Sequence, residues 1–519
     1  MPNQNNSKPI VIVGAGTVGL MLAHELVNRG ENIIIIEAGN ETLNFFNSNE
    51  YKSIGKEHAG VQYGRAKAIG GTSNLWGGQL TEFISDDFEC NNSFNQPEWL
   101  VDWNTIQKYY SRVYEKLGFT PQIPSTPVTL IEEKKVNESI EIFYSRWIKQ
   151  PNFKFQFWEY LTQSKNVSII TNAVVVDLEF DKEKCCLLKY FKDEHLHEIK
   201  EFKNVVLANG SIEIIRLLLH LKTNKAVPFS NNNNIGFYFQ DHPNFKAGEV
   251  LKPSKYFLNK FSNFFTNGEK LQPKLRSKPL ITNKENYIGV CGFFSYESNV
   301  SDHIYMFKQF AKSILGQSKE KVKFKDMVKM FFKLIPATPH IFKIIFTYLK
   351  NNKIYIPFNS KVKLIINAQQ ISYRDSYVTI SDKEYDKNGL SKAIVNWQID
   401  GREIDAITDF CDLLSNYLVE NKLGTLQLDD WFLQVKEKKS KEWVDKAGDI
   451  YHQAGGAIMS KTPENGVVDE NLKLHNTENV FIAGACVMPT SSYGNITLTS
   501  LALTLRLADF LMNKNSNKN

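Results

Sequence analysis

The sequence predicts an α/β fold in which both ends of the chain build one parallel-sheet domain and a β-rich α+β region is inserted between them. Three observations predict it. Near the N-terminus the apolar, β-branched run Pro9–Val13 enters a glycine turn, and Leu20–Asn28 continues as a helix. Asn204–Ala208 repeats that order: a short apolar strand, the small-residue turn Asn209-Gly210, then the helical pattern SIEIIRLLLH. Near the C-terminus, YHQAGGAIMS and MPTSSYGNITLTSLAL lead into a helix pattern that ends near Met512. Strands alternating with helices in this way form parallel sheets.

The opening element is the most specific. Gly14, Gly16 and Gly19 follow the G-x-G-x-x-G pattern of a Rossmann-type dinucleotide site. The first glycine permits the tight turn, the second lets backbone approach a pyrophosphate, and the third lets helix pack on sheet. The helix N-terminus then offers free N–H groups to phosphate. A second strand, Asn32–Ile36, ends in Glu37, an acid that suits a ribose hydroxyl and repels a 2′-phosphate, favouring FAD or NAD over NADP. An ordinary βα corner is the bland alternative, but strand, helix and terminal acid stand in register.

Length and composition bound the class. At 519 residues, two domains are expected. Hydrophobic content of 42% and charged content of 23% are those of a globular protein, and a net charge of +6 gives no reason to expect nucleic acid. Cys90, Cys185, Cys186, Cys291, Cys411 and Cys486 show no metal-binding or haem spacing, so no metal is expected. With no signal peptide and no membrane-length apolar run in view, a cytoplasmic enzyme is the simplest expectation.

Further along, a glycine-rich loop spans Tyr63 to Leu80, and Val167 to Phe180 alternate as a strand does. Tyr287–Tyr296, Lys361–Ala368, Tyr377–Ser381 and Ala393–Ile399 read as strands of a second region.

GAGTVG with Glu37, GRAKAIGGTSNLWGG, NGSIEIIRLLL, IGFYFQDHP, HQAGGAIMS and the stretch from VVDENLKLHN to SLALTLRLAD occur in this order. Together they resemble the glucose–methanol–choline (GMC) oxidoreductases, FAD-dependent alcohol oxidases and dehydrogenases, with sugar and polyol dehydrogenases and pyranose oxidases nearest in look. The resemblance implies a discontinuous FAD-binding domain (1–100, 160–250 and 446–519) and a substrate-binding domain (101–159 and 251–445). It places His452 as the base for a substrate hydroxyl, a role suited to a neutral imidazole. Asn495 takes the second active-site position, orienting the substrate oxygen. It sets Arg65, Gly70, Gly71, Thr72, Ser73, Asn74, Val175, Ala208, Gly484, Ala485, Asn495, Ile496 and Thr497 against the cofactor, beside the opening glycines and Glu37. Gly484 stands where many members carry an acid. The 63–80 loop lacks the histidine that binds FAD covalently in some relatives, so non-covalent FAD is expected. Asp241-His242 belong to a motif that is mainly structural in the family.

The implied reaction oxidises a sugar, cyclitol or polyol hydroxyl to a carbonyl. Oxidation of a lipophilic alcohol at a membrane, or a non-catalytic flavin-binding partner role, are the alternatives. The electron acceptor is not specified. Residues 321–350 bear on the second reading. Phe324, Met327, Val328, Phe331 and Ile335 share one helical face, Lys325, Lys329 and Lys333 another, and Ile341, Ile344, Ile345 and Tyr348 repeat the apolar stripe. Such a stripe either packs on its own domain or makes peripheral contact with an anionic membrane.

Overall fold

A computed structural model describes residues 8–46, 50–89, 94–119, 140–278, 287–298, 338–438 and 440–516. Its content is mixed α/β. A five-stranded parallel sheet runs in the order Val480–Ile482, Asn204–Leu207, Ile10–Val13, Ile33–Ile36, Val167–Ile170. Ile10–Val13 is buried along its whole length, which is why it reads as an unbroken apolar run rather than an alternation. Helix Thr17–Val27 follows it, and helix Ser211–Asn224 follows Asn204–Leu207. Gly14, at φ +103°, sits at the first turn. A Cβ there would lie 2.7 Å from the Ala208 carbonyl oxygen, so glycine is required where these two strand ends meet.

The C-terminal helix is Thr497–Ser516, a turn longer than its sequence pattern suggests. It packs against Thr17–Val27 and against helix Trp103–Lys116. Asp509 ties the three together, accepting from Arg29 at 2.7 Å, Tyr109 at 2.8 Å and Arg112 at 2.6 Å. One helix of the 101–159 segment therefore lies against the helical layer of the parallel sheet.

The stretch 167–180, alternating throughout in sequence, forms two strands rather than one. Val167–Ile170 closes the parallel sheet, and Val174–Asp181 begins a three-stranded antiparallel sheet. The break falls at Asn172, whose φ of +53° is left-handed, a conformation that asparagine tolerates.

A larger antiparallel sheet orders Thr425–Leu428, Asn244–Leu251, Lys361–Ala368, Val290–Glu297, Glu269–Ser277, Ile140–Trp147 and Gln79–Leu80, with Phe264–Thr266 paired to Glu269–Ser277. Helix Glu403–Glu420 packs on it. Tyr377–Tyr385 and Ser391–Trp397 form a further sheet with Tyr51–Gly55.

Residues 321–337 lie outside the described residues. The second half of the basic, apolar pattern is helix Thr338–Asn351, on which Phe342, Ile345, Phe346, Tyr348 and Leu349 are all exposed. No helix among the described residues is long and apolar enough to cross a membrane.

Candidate active site

A single cavity opens at the ends of the parallel strands. Gly14, Gly16, Glu37, Arg65, Gly71, Thr72, Val175 and Ala208 line it, as do His452, Gly484, Ala485, Ile496 and Thr497. Most of the residues singled out from sequence are thus brought together. Gly19 is not on the wall. A Cβ there would meet the Gly14 carbonyl oxygen at 2.0 Å, so it serves the helix–strand contact. Gly70, Ser73 and Asn74 are also off the cavity wall. The Ser73 hydroxyl donates to the Gly70 carbonyl, and the Asn74 amide donates to the carbonyls of Ile69 and Gly71. These polar groups brace the loop from within.

Glu37 is buried. Its two oxygens accept from the backbone N–H groups of Ala15 at 2.7 Å and Gly39 at 2.8 Å, which locks the glycine turn to the end of the second strand. Burial pushes its carboxyl above the usual range, against the pull of those two N–H groups. Arg65 donates to Glu213 at 2.8 Å and to the Val61 carbonyl at 3.1 Å, with its guanidinium 4.2 Å over the Phe46 ring. Glu213 also receives Arg216, itself bound to Asp386 at 2.7 Å. Burial raises the Glu213 carboxyl, but the charges of Arg216 and Arg65 outweigh it and hold the group ionised.

Several buried polar atoms on this wall lack a hydrogen-bond partner: Arg65 Nη2, Asn209 Oδ1, Gln453 Nε2 and His452 Nδ1. Orphaned donors and acceptors beside a glycine turn suit a bound dinucleotide with ribose, phosphate and amide groups. The residues present therefore fit FAD.

Asn495 is also off the cavity wall but touches it through His452: the Asn495 amide donates to His452 Nε2 at 3.0 Å, and the Thr81 hydroxyl donates to Asn495 Oδ1 at 3.2 Å. Thr81 thereby fixes which end of the amide faces the imidazole. The segment carrying His452 is held from behind. Asp241 Oδ1 accepts from the backbone of His242 at 2.7 Å and of Ile450 at 3.2 Å. Asp241 Oδ2 lies 3.2 Å from His58 Nε2. Asp449 accepts from the Ala59 and Gly60 backbones at 2.6 and 2.7 Å, tying the same segment to helix Ala59–Tyr63. The chain then turns at Gly455, φ +70°, where a Cβ would strike the Tyr238 carbonyl oxygen at 1.9 Å.

His242 stands edge-on to His452, ring centroids 5.0 Å apart. Burial, then the charge of His242 and that of Lys274, depress His452 to about 3, with Asp241 offsetting part of the effect. The imidazole is neutral at any physiological pH, so its Nε2 lone pair can accept a proton donor, here the Asn495 amide. A hydroxyl bridging Nε2 and the Asn495 amide would donate to the first and accept from the second.

Sequence reasoning missed Phe46, Asn209, Glu213, Arg216 and Gln453 on the cavity wall, and Lys274, whose charge acts on the two histidines. Asn209 lies at the second strand–turn–helix, so its position by the cavity was readable. Lys274 comes from a strand whose face is set only by register.

A family model described as GMC oxidoreductase matches residues 372–504, a span that includes both His452 and Asn495. The large subunit of fructose dehydrogenase from Gluconobacter japonicus is 20% identical over 99% of this chain and 99% of its own length. Oxygen-dependent choline dehydrogenase from Staphylococcus aureus (strain MSSA476) is 21% identical over 98% of this chain and 94% of its own. Among solved structures, pyridoxine 4-oxidase from Mesorbium loti superposes with a TM-score of 0.59 at 14% identity, covering 98% of this chain and 99% of the other. An FAD-dependent oxidoreductase from Chaetomium thermophilum gives 0.60 at 13% identity, covering 98% and 100%. These two likenesses are of fold.

Proposed function

The chain is an FAD-dependent oxidoreductase of the GMC family acting on CH–OH groups, and from that premise we propose that it oxidises a sugar, cyclitol or polyol hydroxyl to a carbonyl with His452 as the base. The observation that carries this reading is the contact of 3.0 Å between His452 Nε2 and the Asn495 amide, beside the cavity that begins at the glycine turn. FAD, when bound, supplies the acceptor for the hydride. The Asn495 amide holds the substrate oxygen, and His452 Nε2 takes its proton as the carbonyl forms. The Thr497–Ser516 helix directs its N-terminus at the cavity through Ile496 and Thr497, a favourable end for negative charge. Gly14, Gly16, Gly71, Thr72 and Arg65 hold the cofactor without a covalent bond, since the 63–80 loop contains no histidine. The end-to-end similarity to a fructose dehydrogenase supports the sugar-type substrate.

The test is the visible spectrum of the purified protein under anaerobic conditions as sugars, polyols and lipophilic alcohols are added in turn. Bleaching of a bound flavin by sugars or polyols is expected. A protein that binds no flavin after reconstitution, or a flavin that no alcohol bleaches, overturns the reading.

The exposed stripe of Phe342, Ile345, Phe346 and Leu349, flanked by the exposed cations Lys343 and Lys350, favours a second reading. In it the Thr338–Asn351 helix rests on an anionic membrane and the substrate is a lipophilic alcohol. Co-sedimentation with phosphatidylglycerol vesicles, lost in F346E/L349E, is the expected result there. Absence of binding by the unaltered protein removes it.

A further inference from the structure

Strand Glu269–Ser277 carries Lys274 and Arg276 on one face, and Lys278 continues the alternation. Lys274 pairs in register with Phe143 on strand Ile140–Trp147, and Arg276 with Glu141. Two of these cations are answered. Arg276 donates to Glu141 at 2.5 Å and to the Tyr493 hydroxyl at 3.4 Å, and Lys278 lies 3.9 Å from the same Glu141. Tyr493 also meets Phe143 edge-on at 6.0 Å and stands two residues before Asn495, which ties this sheet face to the catalytic end of the cavity.

Lys274 is different. It is only 5% exposed, and among the described residues no carboxylate pairs with it and no hydrogen bond holds it. Its ammonium lies 5.0 Å from the centre of the Phe293 ring. The one group whose negative charge acts on it is Cys291, which burial pushes up to about 11 and so keeps protonated. The sheet face that carries Lys274 reaches the Tyr493–Asn495 segment, since its register partner Phe143 packs against Tyr493 and Arg276 donates to the Tyr493 hydroxyl, and its positive charge acts on both His242 and His452. A buried, unpaired ammonium is costly to maintain, and burial accordingly lowers the Lys274 pKa. Such a group is retained when its counter-ion arrives with a ligand.

We propose that Lys274 is a specificity-determining residue that receives an anionic group, carboxylate or phosphate, carried by the alcohol oxidised at His452. This rests on the reading of His452 and Asn495 given above. Lys274, Arg276 and Lys278 stand against the single carboxylate of Glu141, an excess of positive charge that attracts an anion toward the site. Once bound, the anion neutralises Lys274 and removes part of the electrostatic load that depresses His452. The base is then strengthened when the right substrate is present.

The experiment uses the full-length, FAD-loaded protein and three probes with one carbon skeleton: D-glucitol, D-gluconate and D-glucitol 6-phosphate. Anaerobic flavin reduction gives a rate constant over dissociation constant for each. One of the charged probes should exceed glucitol by about 10- to 100-fold, and whichever does identifies carboxylate or phosphate. K274M should reduce that charged-to-neutral ratio by a similar factor. Methionine matches the lysine stem and removes a buried charge, so the variant is expected to fold, with flavin content as the check. A ratio near one in the unaltered protein, or a ratio that K274M leaves unchanged because all three probes slow equally, overturns the proposal. A second readout needs no turnover: calorimetric binding of gluconate and glucitol 6-phosphate to H452A and to H452A/K274M, with about 10- to 100-fold weaker binding expected in the latter. Lys274-dependent anion binding with no flavin reduction by any alcohol would sustain the anion site and sink the oxidation reading. Reduction by glucitol with no binding of either anion would do the reverse.

Discussion

Asn495 donates its amide to His452 Nε2 at 3.0 Å, while Thr81 donates to the Asn495 carbonyl at 3.2 Å. The amide orientation is therefore set before substrate arrives, and the imidazole nitrogen it faces is unprotonated. Removing that donor in N495A should lower kcat/KM for the alcohol by about 100-fold, the usual loss for one preorganised donor, with FAD still bound. Steady-state kinetics on flavin-loaded protein check this, and a loss below threefold would remove Asn495 from the reaction.

The depressed pKa of His452 sets a pH dependence. With the folded value near 3 and the ordinary value near 6.5, the ring is neutral across pH 5 to 8. Flavin reduction by a neutral alcohol should then show no acidic limb centred near pH 6.5. The sign for stability follows from the same shift. The contribution of a neutral buried imidazole is present above pH ~6.5 and declines as the pH falls toward ~3. Thermal melts should show the unaltered protein losing more stability than H452Q between pH 6.5 and 5. A parallel decline in both would contradict the assignment.

Arg65 pairs with Glu213 on the cavity wall and leaves Nη2 unpaired there. R65A should weaken FAD binding by about 10- to 100-fold, since a charged donor is lost and Glu213 keeps only Arg216. Reconstitution of apoprotein with FAD, followed by fluorescence, measures it. Unchanged affinity would mean that the cofactor does not reach this end of the cavity.

Asp87 is buried near Ser492 and Arg276, and burial raises its carboxyl to about 7. A carboxyl raised in the folded state favours folding fully only below its unfolded value of about 4, and that support is lost as pH rises to ~7. D87N should therefore melt above the unaltered protein, by a margin that grows from pH ~4 to ~7 and then levels. A margin independent of pH would show that Asp87 is ionised throughout.

The fold class and the strand–turn–helix units were legible because the inner parallel strands are buried on both faces and end in turns that only small residues permit. Ile10–Val13, Gly14 and Ser211–Asn224 are examples. Lys361–Ala368 was legible in full because its alternation and β-branched content agree. Less legible was 167–180, where one left-handed asparagine divides a uniform pattern between two sheets. In the 63–80 loop, short polar side chains were expected to face the cofactor, whereas Ser73 and Asn74 satisfy the loop's own carbonyls. Composition cannot separate those two uses of a hydroxyl or an amide. Lys274 was invisible for another reason: the face it occupies depends on the register of a sheet assembled from strands far apart in sequence.

The most direct measurement is anaerobic stopped-flow reduction of the bound FAD by a sugar-type alcohol and by its C-deuterated form, in the unaltered protein and in H452A. The account predicts a primary isotope effect in the unaltered protein. It also predicts that H452A retains FAD but is reduced at least ~100-fold more slowly, the scale of a lost general base. Equal reduction rates in the two proteins would contradict the assignment of His452 as the base, whatever the substrate.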